Sequence, residues 1–220
     1  MLTCVVGTNN VLNLATKNTV VVHASTSEVY GDPQVHPQSE SYWGRVNSYG
    51  VRSCYDEGKR AAEALCFDHK NKRGTDARLV RIFNTYGPRM DPYDGRVITN
   101  LIGQVLRGET MTMYGEGTQS RSFCYVTDLI RAILAMAELK NNPGTPINIG
   151  NPNEFTMLEL AEKIQSKIGG DISFSPLPKD DPRQRQPDIT LAKKLLNWEP
   201  RIDLDTGLDR MIEYMRTLNE

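Results

Sequence analysis

Tyr55 and Lys59 stand one helical turn apart in the run "C-Y-D-E-G-K", a spacing that puts both side chains on the same helix face. A nearby ammonium favours the phenolate and lowers a tyrosine pKa from its ordinary value of about 10. Such a tyrosine can take a hydroxyl proton while hydride leaves the same carbon. A couple of dozen residues earlier, "S-T-S-E-V-Y-G" (Ser25 to Gly31) puts three hydroxyls and the carboxylate of Glu28 directly after "T-V-V-V-H-A", a β-branched stretch that reads as a buried strand. Both features have plain alternatives. A lone Y-x-x-x-K is common as a surface pair with a packed ring, and polar residues after a strand can be no more than a cap and a turn. Three things favour chemistry: the hydroxyl-rich strand end, the small residues Gly58, Ala61 and Ala62 that allow close helix packing, and a further strand downstream. In ligand-binding α/β sheets the site lies at the carboxyl ends of the strands, where Ser25 to Glu28 would project.

The elements that must position these groups read as follows. Helical spacing of apolar residues over Val5 to Leu14 precedes the strand Val20 to His23, and Gly31, Pro33 and Pro37 make the next segment a loop. A long helix over Ser53 to Lys72 ends at Gly74, and "A-R-L-V-R-I-F" (Ala77 to Phe83) is the next strand. Strand, helix and strand with short connections predict a parallel α/β sheet. Beyond "N-T-Y-G-P-R-M" the texture changes. A helix is expected over Arg96 to Arg107, strands at "T-M-T-M-Y-G" and "R-S-F-C-Y-V", and a helix over Asp128 to Lys140 with Thr127 as its N-cap. "P-I-N-I-G" and "D-I-S-F-S-P" read as extended, and Thr156 with Glu159 forms a capping box for a helix over Met157 to Lys167. Helices over Asp188 to Leu196 and Leu204 to Leu218 flank the "N-W-E-P" turn. The charged, proline-bounded segment Lys179 to Pro187 reads on composition as a solvated linker.

Composition narrows the function classes. The 220 residues are 39% hydrophobic and 24% charged with a formal net charge of -1, an ordinary soluble composition. That balance leaves no electrostatic footprint for nucleic acid. No apolar run approaches the roughly 20 residues that span a bilayer, and no signal-peptide pattern is present. Cys4, Cys54, Cys66 and Cys124 lack paired spacing, and His23, His36 and His69 are far apart in sequence, so neither a disulfide framework nor a metal site is expected. A cytoplasmic-type protein is the expectation.

Taken together, "S-T-S-E-V-Y-G-D-P", "C-Y-D-E-G-K-R-A-A-E", "R-I-F-N-T-Y-G-P-R-M", "Y-G-E-G-T-Q-S-R-S-F-C-Y-V-T-D-L", "D-D-P-R-Q-R-Q-P-D-I" and "L-N-W-E-P" resemble the extended short-chain dehydrogenase/reductases that rework nucleotide sugars, most closely their UDP-glucuronate decarboxylases. The resemblance implies NAD as cofactor and UDP-glucuronate as substrate, with UDP-xylose formed by C4 oxidation, loss of carbon dioxide and re-reduction. It assigns Tyr55 as the acid–base, Lys59 to the nicotinamide ribose, Thr26 to the C4 oxygen, and Glu28 with Arg185 to decarboxylation. Ala24, Thr85 and Arg96 fit positions that touch NAD. Asn84, Tyr114, Arg121 and Asn10 fit positions that touch the nucleotide sugar. Capping, packing or a solvated charge remains the plain alternative for Asn84, Tyr114 and Arg121. Serine at position 27, where 4,6-dehydratases carry an acid, and Glu28, which 4-epimerases generally lack, favour decarboxylation.

The implied architecture is α/β. Residues 1–88 would form the C-terminal part of an NAD-binding Rossmann domain, and 89–220 mainly a UDP-sugar-binding domain, with segments near 122–150 returning to the sheet. The family's G-x-x-G-x-x-G turn, which sets a pyrophosphate against a helix N-terminus, does not occur in this sequence. The chain is therefore expected to begin partway through that domain, and its NAD affinity to suffer. Any membrane anchor would lie in the missing segment. Thr8, Asn10 and Asn13 to Lys17 align with a helix that contacts the UDP-sugar, several of whose basic positions are changed. The helices Thr3 to Ala15 and Ser53 to Lys72 resemble a pair that dimerises as a four-helix bundle, so a homodimer is expected. The open alternatives are a non-catalytic homologue that binds nucleotide sugars or dimerises, and another epimerase or dehydratase of the same family.

Overall fold

The structure, a computed structural model, describes residues 1–176 and 184–218. One π-helical turn, Thr3–Gly7, runs into α1 (Thr8–Leu14), and β1 (Val20–Thr26) follows. A 3-10 turn, Ser27–Tyr30, caps β1, with the Thr26 hydroxyl accepting from the Glu28 backbone N–H. The long helix α2 (Ser53–Arg73) ends where Gly74 takes a left-handed conformation, and β2 (Asp76–Ile82) leads to the short β3 (Thr85–Tyr86). Next come α3 (Val97–Leu106), β4 (Met111–Tyr114), β5 (Ser120–Ser122), β6 (Cys124–Tyr125) and α4 (Val126–Glu138). The remainder is β7 (Ile147–Ile149), β8 (Glu154–Thr156), α5 (Met157–Ile168), β9 (Ile172–Ser175), β10 (Gln184–Arg185), α6 (Thr190–Leu196) and α7 (Leu204–Thr217).

The expected parallel sheet is present. It has the order β1-β2-β7, with Val20 to Thr26 in register with Asp76 to Ile82 and Val80 to Ile82 in register with Ile147 to Ile149. Parallel strands need covered faces. One cover is α4 with α6, where Ala132, Met136, Ala192, Leu196 and Trp198 pack on Val80, Ile147 and Ile149. On α2, Cys66 packs with Leu12 and Ala77. A second apolar core joins α3, α5, α7 and β4 through Leu101, Ile102, Met111, Leu160, Ile164, Leu208 and Met211. Its small sheets are β4 with parallel β9, and β5 between parallel β10 and antiparallel β8.

Three expectations change. "R-S-F-C-Y-V" is two strands, because the chain crosses at buried Phe123 from β5, paired to β8 and β10, to β6, paired to β3. Thr127 is not the cap of α4. The cap position is Tyr125 without a side-chain bond, and Thr127 lies exposed inside the first turn. Residues 177–183 of the presumed linker lie outside the described residues, but its later part is no solvated linker. Arg185 and Pro187 are buried, and Gln186 N–H donates to the Gln38 side chain (3.0 Å). Bidentate and backbone partners, not composition, determine that burial.

The capping box at α5 is complete: Thr156 Oγ1 accepts from the Glu159 N–H (3.1 Å), and Glu159 accepts from the Thr156 N–H (2.8 Å). Thr156→Ala is expected to cost about 1 kcal/mol, and to lower Tm by about 2–4 °C in a chain of this size. Thermal unfolding followed by circular dichroism measures it, and an unchanged Tm contradicts a contribution from the cap.

Candidate active site

α2 and the end of β1 meet because polar groups lock their register. The Ser25 hydroxyl donates to Glu63 Oε1 (2.5 Å), and Arg81 on β2 grips both Glu63 oxygens (3.0 and 2.7 Å). Arg81 also donates to the Tyr30 hydroxyl (3.0 Å), which in turn donates to Asn148 on β7 (2.7 Å). Burial pushes the Tyr30 phenol up to about 12, so it stays a donor. One turn before Glu63, Lys59 Nζ donates to the Ala24 carbonyl at 2.8 Å and lies 5.9 Å from the Tyr55 ring centroid. Burial, and next the Lys59 charge, push the neighbouring His23 imidazole below its ordinary pKa, which keeps it neutral at pH 7.

Beyond this strand end opens a cleft of about 680 Å³. Its walls include Ala24, Thr26, Glu28, Tyr55, Lys59, Asn84, Thr85, Arg96, Tyr114, Arg121 and Arg185, residues far apart in the sequence. Tyr55 is 45% exposed and Tyr114 46%, so both rings are open to a ligand. Thr85 donates to the Phe83 carbonyl (3.0 Å), the Asn84 carbonyl accepts from Cys124 N–H (2.8 Å), and Arg121 donates to the Ser120 carbonyl (2.7 Å). Arg96 reaches Asp94 at 3.5 Å from an exposed position. Asn10 stands apart from these residues. It is exposed on α1 and does not line the cleft, because α1 turns Leu12 onto Cys66, well along α2 from Tyr55.

At the cleft floor Arg185 is buried to 2% exposure. It meets Glu28 Oε1 at 3.1 Å and donates to the Ser27 hydroxyl (3.2 Å) and the Gly31 carbonyl (2.9 Å). Burial lowers the guanidinium pKa, and the Glu28 charge opposes that. Gly31 has φ +62°, and a Cβ there would lie 1.9 Å from the Arg45 carbonyl oxygen, so only glycine permits this turn. Arg52, which sequence reasoning missed, reaches Glu28 Oε2 at 3.0 Å. Its signal was available: it precedes Tyr55 by three residues, on the same helical face. The Ser25–Glu63–Arg81 clamp was also missed, because its partners lie on three different elements.

A parallel sheet with a Tyr-x-x-x-Lys helix laid against a hydroxyl-bearing strand end defines a Rossmann-like α/β protein. The model of the NAD dependent epimerase/dehydratase family matches residues 1–150, and the chain belongs to that family. It is 54% identical over 217 residues to UDP-glucuronic acid decarboxylase 6 of Arabidopsis thaliana, covering 97% of this chain and 63% of that protein. Against UDP-glucuronic acid decarboxylase 1 of Xenopus tropicalis the identity is 50%, over 96% of this chain and 50% of the relative. The chain thus spans less than two thirds of the length of these curated relatives. Among solved structures, UDP-glucuronic acid 4-epimerase from Bacillus cereus, in complex with UDP-glucuronic acid and NAD, superposes with a TM-score of 0.88 at 29% identity, over 99% of this chain and 68% of that one. UDP-glucose 4-epimerase from Thermotoga maritima, with UDP-glucose, gives 0.91 at 29% identity, over 100% and 71%. No helix among the described residues is long and apolar enough to cross a membrane.

Removing Glu28 leaves Arg185 a buried cation without its carboxylate. Glu28→Ala is expected to cost about 3 kcal/mol of unfolding free energy, the scale for a broken buried pair. Urea titration measures it. A loss below about 1 kcal/mol would mean that Ser27 and Gly31 satisfy Arg185 alone.

Proposed function

We propose that this chain carries the substrate-facing half of an NAD-dependent UDP-glucuronate decarboxylase, the reaction that converts UDP-glucuronate to UDP-xylose and carbon dioxide. The observation that carries the reading is the buried Arg185–Glu28 pair at the end of β1, in one cleft with Tyr55, Lys59 and Thr26. The strong identity to curated decarboxylases supports the substrate class. The residues present suit the reactive end of NAD: an ammonium fixed at the strand end by the Ala24 carbonyl, beside an open tyrosine ring. Thr85 and Arg96, which line the same cleft, are the further candidates to hold it. Bound there, NAD would supply the oxidant for C4 and restore the electrons after carbon dioxide is lost.

The chain's own groups then have defined tasks. Tyr55 takes the proton from the C4 hydroxyl and later returns one to the same oxygen. Lys59 favours its phenolate electrostatically, and the Thr26 hydroxyl orients the C4 oxygen. A C4 ketone makes the C6 carboxylate a β-keto acid, whose C5–C6 bond breaks with the electron pair delocalised onto the ketone oxygen. A proton at C5 then completes the loss of carbon dioxide. Arg185 holds the carboxylate toward Glu28's side of the cleft, a fixed charge in a largely desolvated place. Ser27 is engaged by Arg185 and offers no acid to a leaving group, which argues against dehydration. Asn84, Tyr114 and Arg121, which line the same cleft, are the candidates for the nucleotide and its diphosphate.

Isothermal titration with UDP and with NAD, followed by carbon dioxide release from UDP-glucuronate, tests the reading. UDP binding, NAD binding and turnover that falls by at least about 10³-fold in Tyr55→Phe are expected, in line with the loss of an acid–base group and its oriented hydroxyl. UDP binding without NAD binding would leave a nucleotide-sugar-binding homologue in place of an enzyme. We also propose that two copies pair through α1 and α2, whose outer faces expose Val11, Leu14 and Phe67. Light scattering should give twice the chain mass, and a monomer at micromolar concentration contradicts pairing.

A further inference from the structure

Arg185 reaches the cleft floor from β10, a strand of 2 residues paired along one edge to β5. The chain that follows it is held by Gln38, 148 residues before Gln186 in the sequence. Gln38 is a fully buried amide (0% exposed) with no task in the reaction above. Its main chain forms a parallel bridge with Pro187: its N–H donates to the Gln186 carbonyl, and its carbonyl accepts from the Asp188 N–H, both at 2.9 Å. Any residue with a backbone N–H could make those two bonds. The side chain adds two more. Its Oε1 accepts from the Gln186 N–H (3.0 Å), and its Nε2 donates to the Val35 carbonyl (2.8 Å). Only a group that is acceptor at one corner and donor at the other meets both partners, which is the amide's inventory.

We propose that Gln38 is a positioning residue for Arg185, and that through Arg185 it makes the cleft favour a nucleotide sugar bearing a carboxylate over its uncharged counterpart. The proposal rests on the reading of Arg185 as the partner of that carboxylate. The Gln186 N–H belongs to the planar peptide unit that leaves the Arg185 Cα. A bond to it from Gln38 therefore fixes the direction of the Arg185 side chain at its root, while Glu28, Ser27 and the Gly31 carbonyl hold its tip. A guanidinium held at the tip alone can turn. Held at both ends, it presents one edge to the cleft.

The same residue joins this anchor to α2. The Gln38 carbonyl also accepts from Asn148 Nδ2 (3.0 Å), and Asn148 Oδ1 accepts from the Tyr30 hydroxyl that Arg81 holds. The root of Arg185 and the Glu63–Arg81 contact that registers α2 are thus parts of one hydrogen-bonded frame. Gln38→Met keeps the side-chain volume and the backbone bridge but removes both side-chain bonds. The peptide after Arg185 is then free to rotate, and a charge-assisted bond to a carboxylate loses its alignment. The expected loss is roughly tenfold in the preference for the carboxylate, the low end of what one hydrogen bond to a charged group supplies.

Calorimetric titration of the full chain with UDP-glucuronate and with UDP-glucose, which differ at C6, is the test, run without NAD so that no turnover intervenes. UDP, which carries no sugar carboxylate, reports the integrity of each variant's fold. The glucuronate-over-glucose preference should fall about tenfold in Gln38→Met. Arg185→Met should lose the preference, and adding Gln38→Met to it should change it no further, because a positioning residue acts only through the group it positions. A residue that merely supports the loop would weaken all three ligands alike. An unchanged preference in Gln38→Met, a uniform weakening of all three ligands, or a loss that adds to that of Arg185→Met overturns the proposal. Hydrogen exchange of the Gln186 amide in the wild-type chain needs no variant to fold. Protection of at least about a hundredfold is expected of an N–H held in this way, and exchange at the free-peptide rate overturns the proposal. A wild-type chain that binds UDP-glucuronate no better than UDP-glucose would sink the reading of Arg185 and this proposal with it. That outcome is distinct from a wild-type preference that survives Gln38→Met.

Discussion

The arrangement of this site depends on one buried ion pair. Glu63 on α2 and Arg81 on β2 are each only 12% exposed at the side chain and meet at 2.7 Å, with Ser25 closing the contact from β1. A buried pair of this kind is a weak source of stability, since desolvation offsets much of its attraction. What it provides is register. Both guanidinium bonds and the serine bond are satisfied only when α2 sits at one axial position and one rotation against the sheet. Lys59 lies one turn toward the helix N-terminus and Tyr55 one turn further, so fixing Glu63 fixes both of these side chains relative to the end of β1. The Lys59 bond to the Ala24 carbonyl repeats the constraint at the site itself.

A second constraint closes the cleft from far along the sequence. Arg185 crosses to the β1 end and is held by Glu28, Ser27 and the Gly31 carbonyl. The turn at Gly31 is enforced by the close approach of the Arg45 backbone. The loop from Gly31 to Arg45, the turn after β1 and β10 are therefore tied to one another by direct contacts. In the proposed function a guanidinium so confined is what would make the cleft selective by charge, with the hydroxyls of Thr26 and Tyr55 supplying its proton chemistry.

Much of this was legible in the sequence because it is local. The β-branched run of β1, the small-residue face and glycine stop of α2, and the Thr156–Glu159 box each reflect propensities within a few residues. What the sequence hid was pairing between distant segments. Arg185 sits in a charged, proline-bounded stretch whose composition says solvent, yet it is buried, since no local pattern reports a partner 157 residues away in the sequence. Thr127 looked like a cap because threonine is a favoured N-cap residue, but the chain is already helical there. Asn10 was assigned by alignment to a family helix, and the packing of Leu12 turns it to solvent. Arg52 was missed although its spacing from Tyr55 was visible, because only the fold sets Glu28 against it.

The central claim is geometric: one cleft brings a sugar's C4 hydroxyl to Tyr55 and Thr26, and its C6 carboxylate to the Arg185–Glu28 floor. A crystal structure of the chain with UDP-glucuronate tests it most directly. The account predicts the C4 oxygen within hydrogen-bond distance of the Tyr55 and Thr26 hydroxyls, with the carboxylate against the Arg185 end of the cleft. A sugar bound with its carboxylate turned away from Arg185, or with C4 beyond reach of Tyr55, would contradict it.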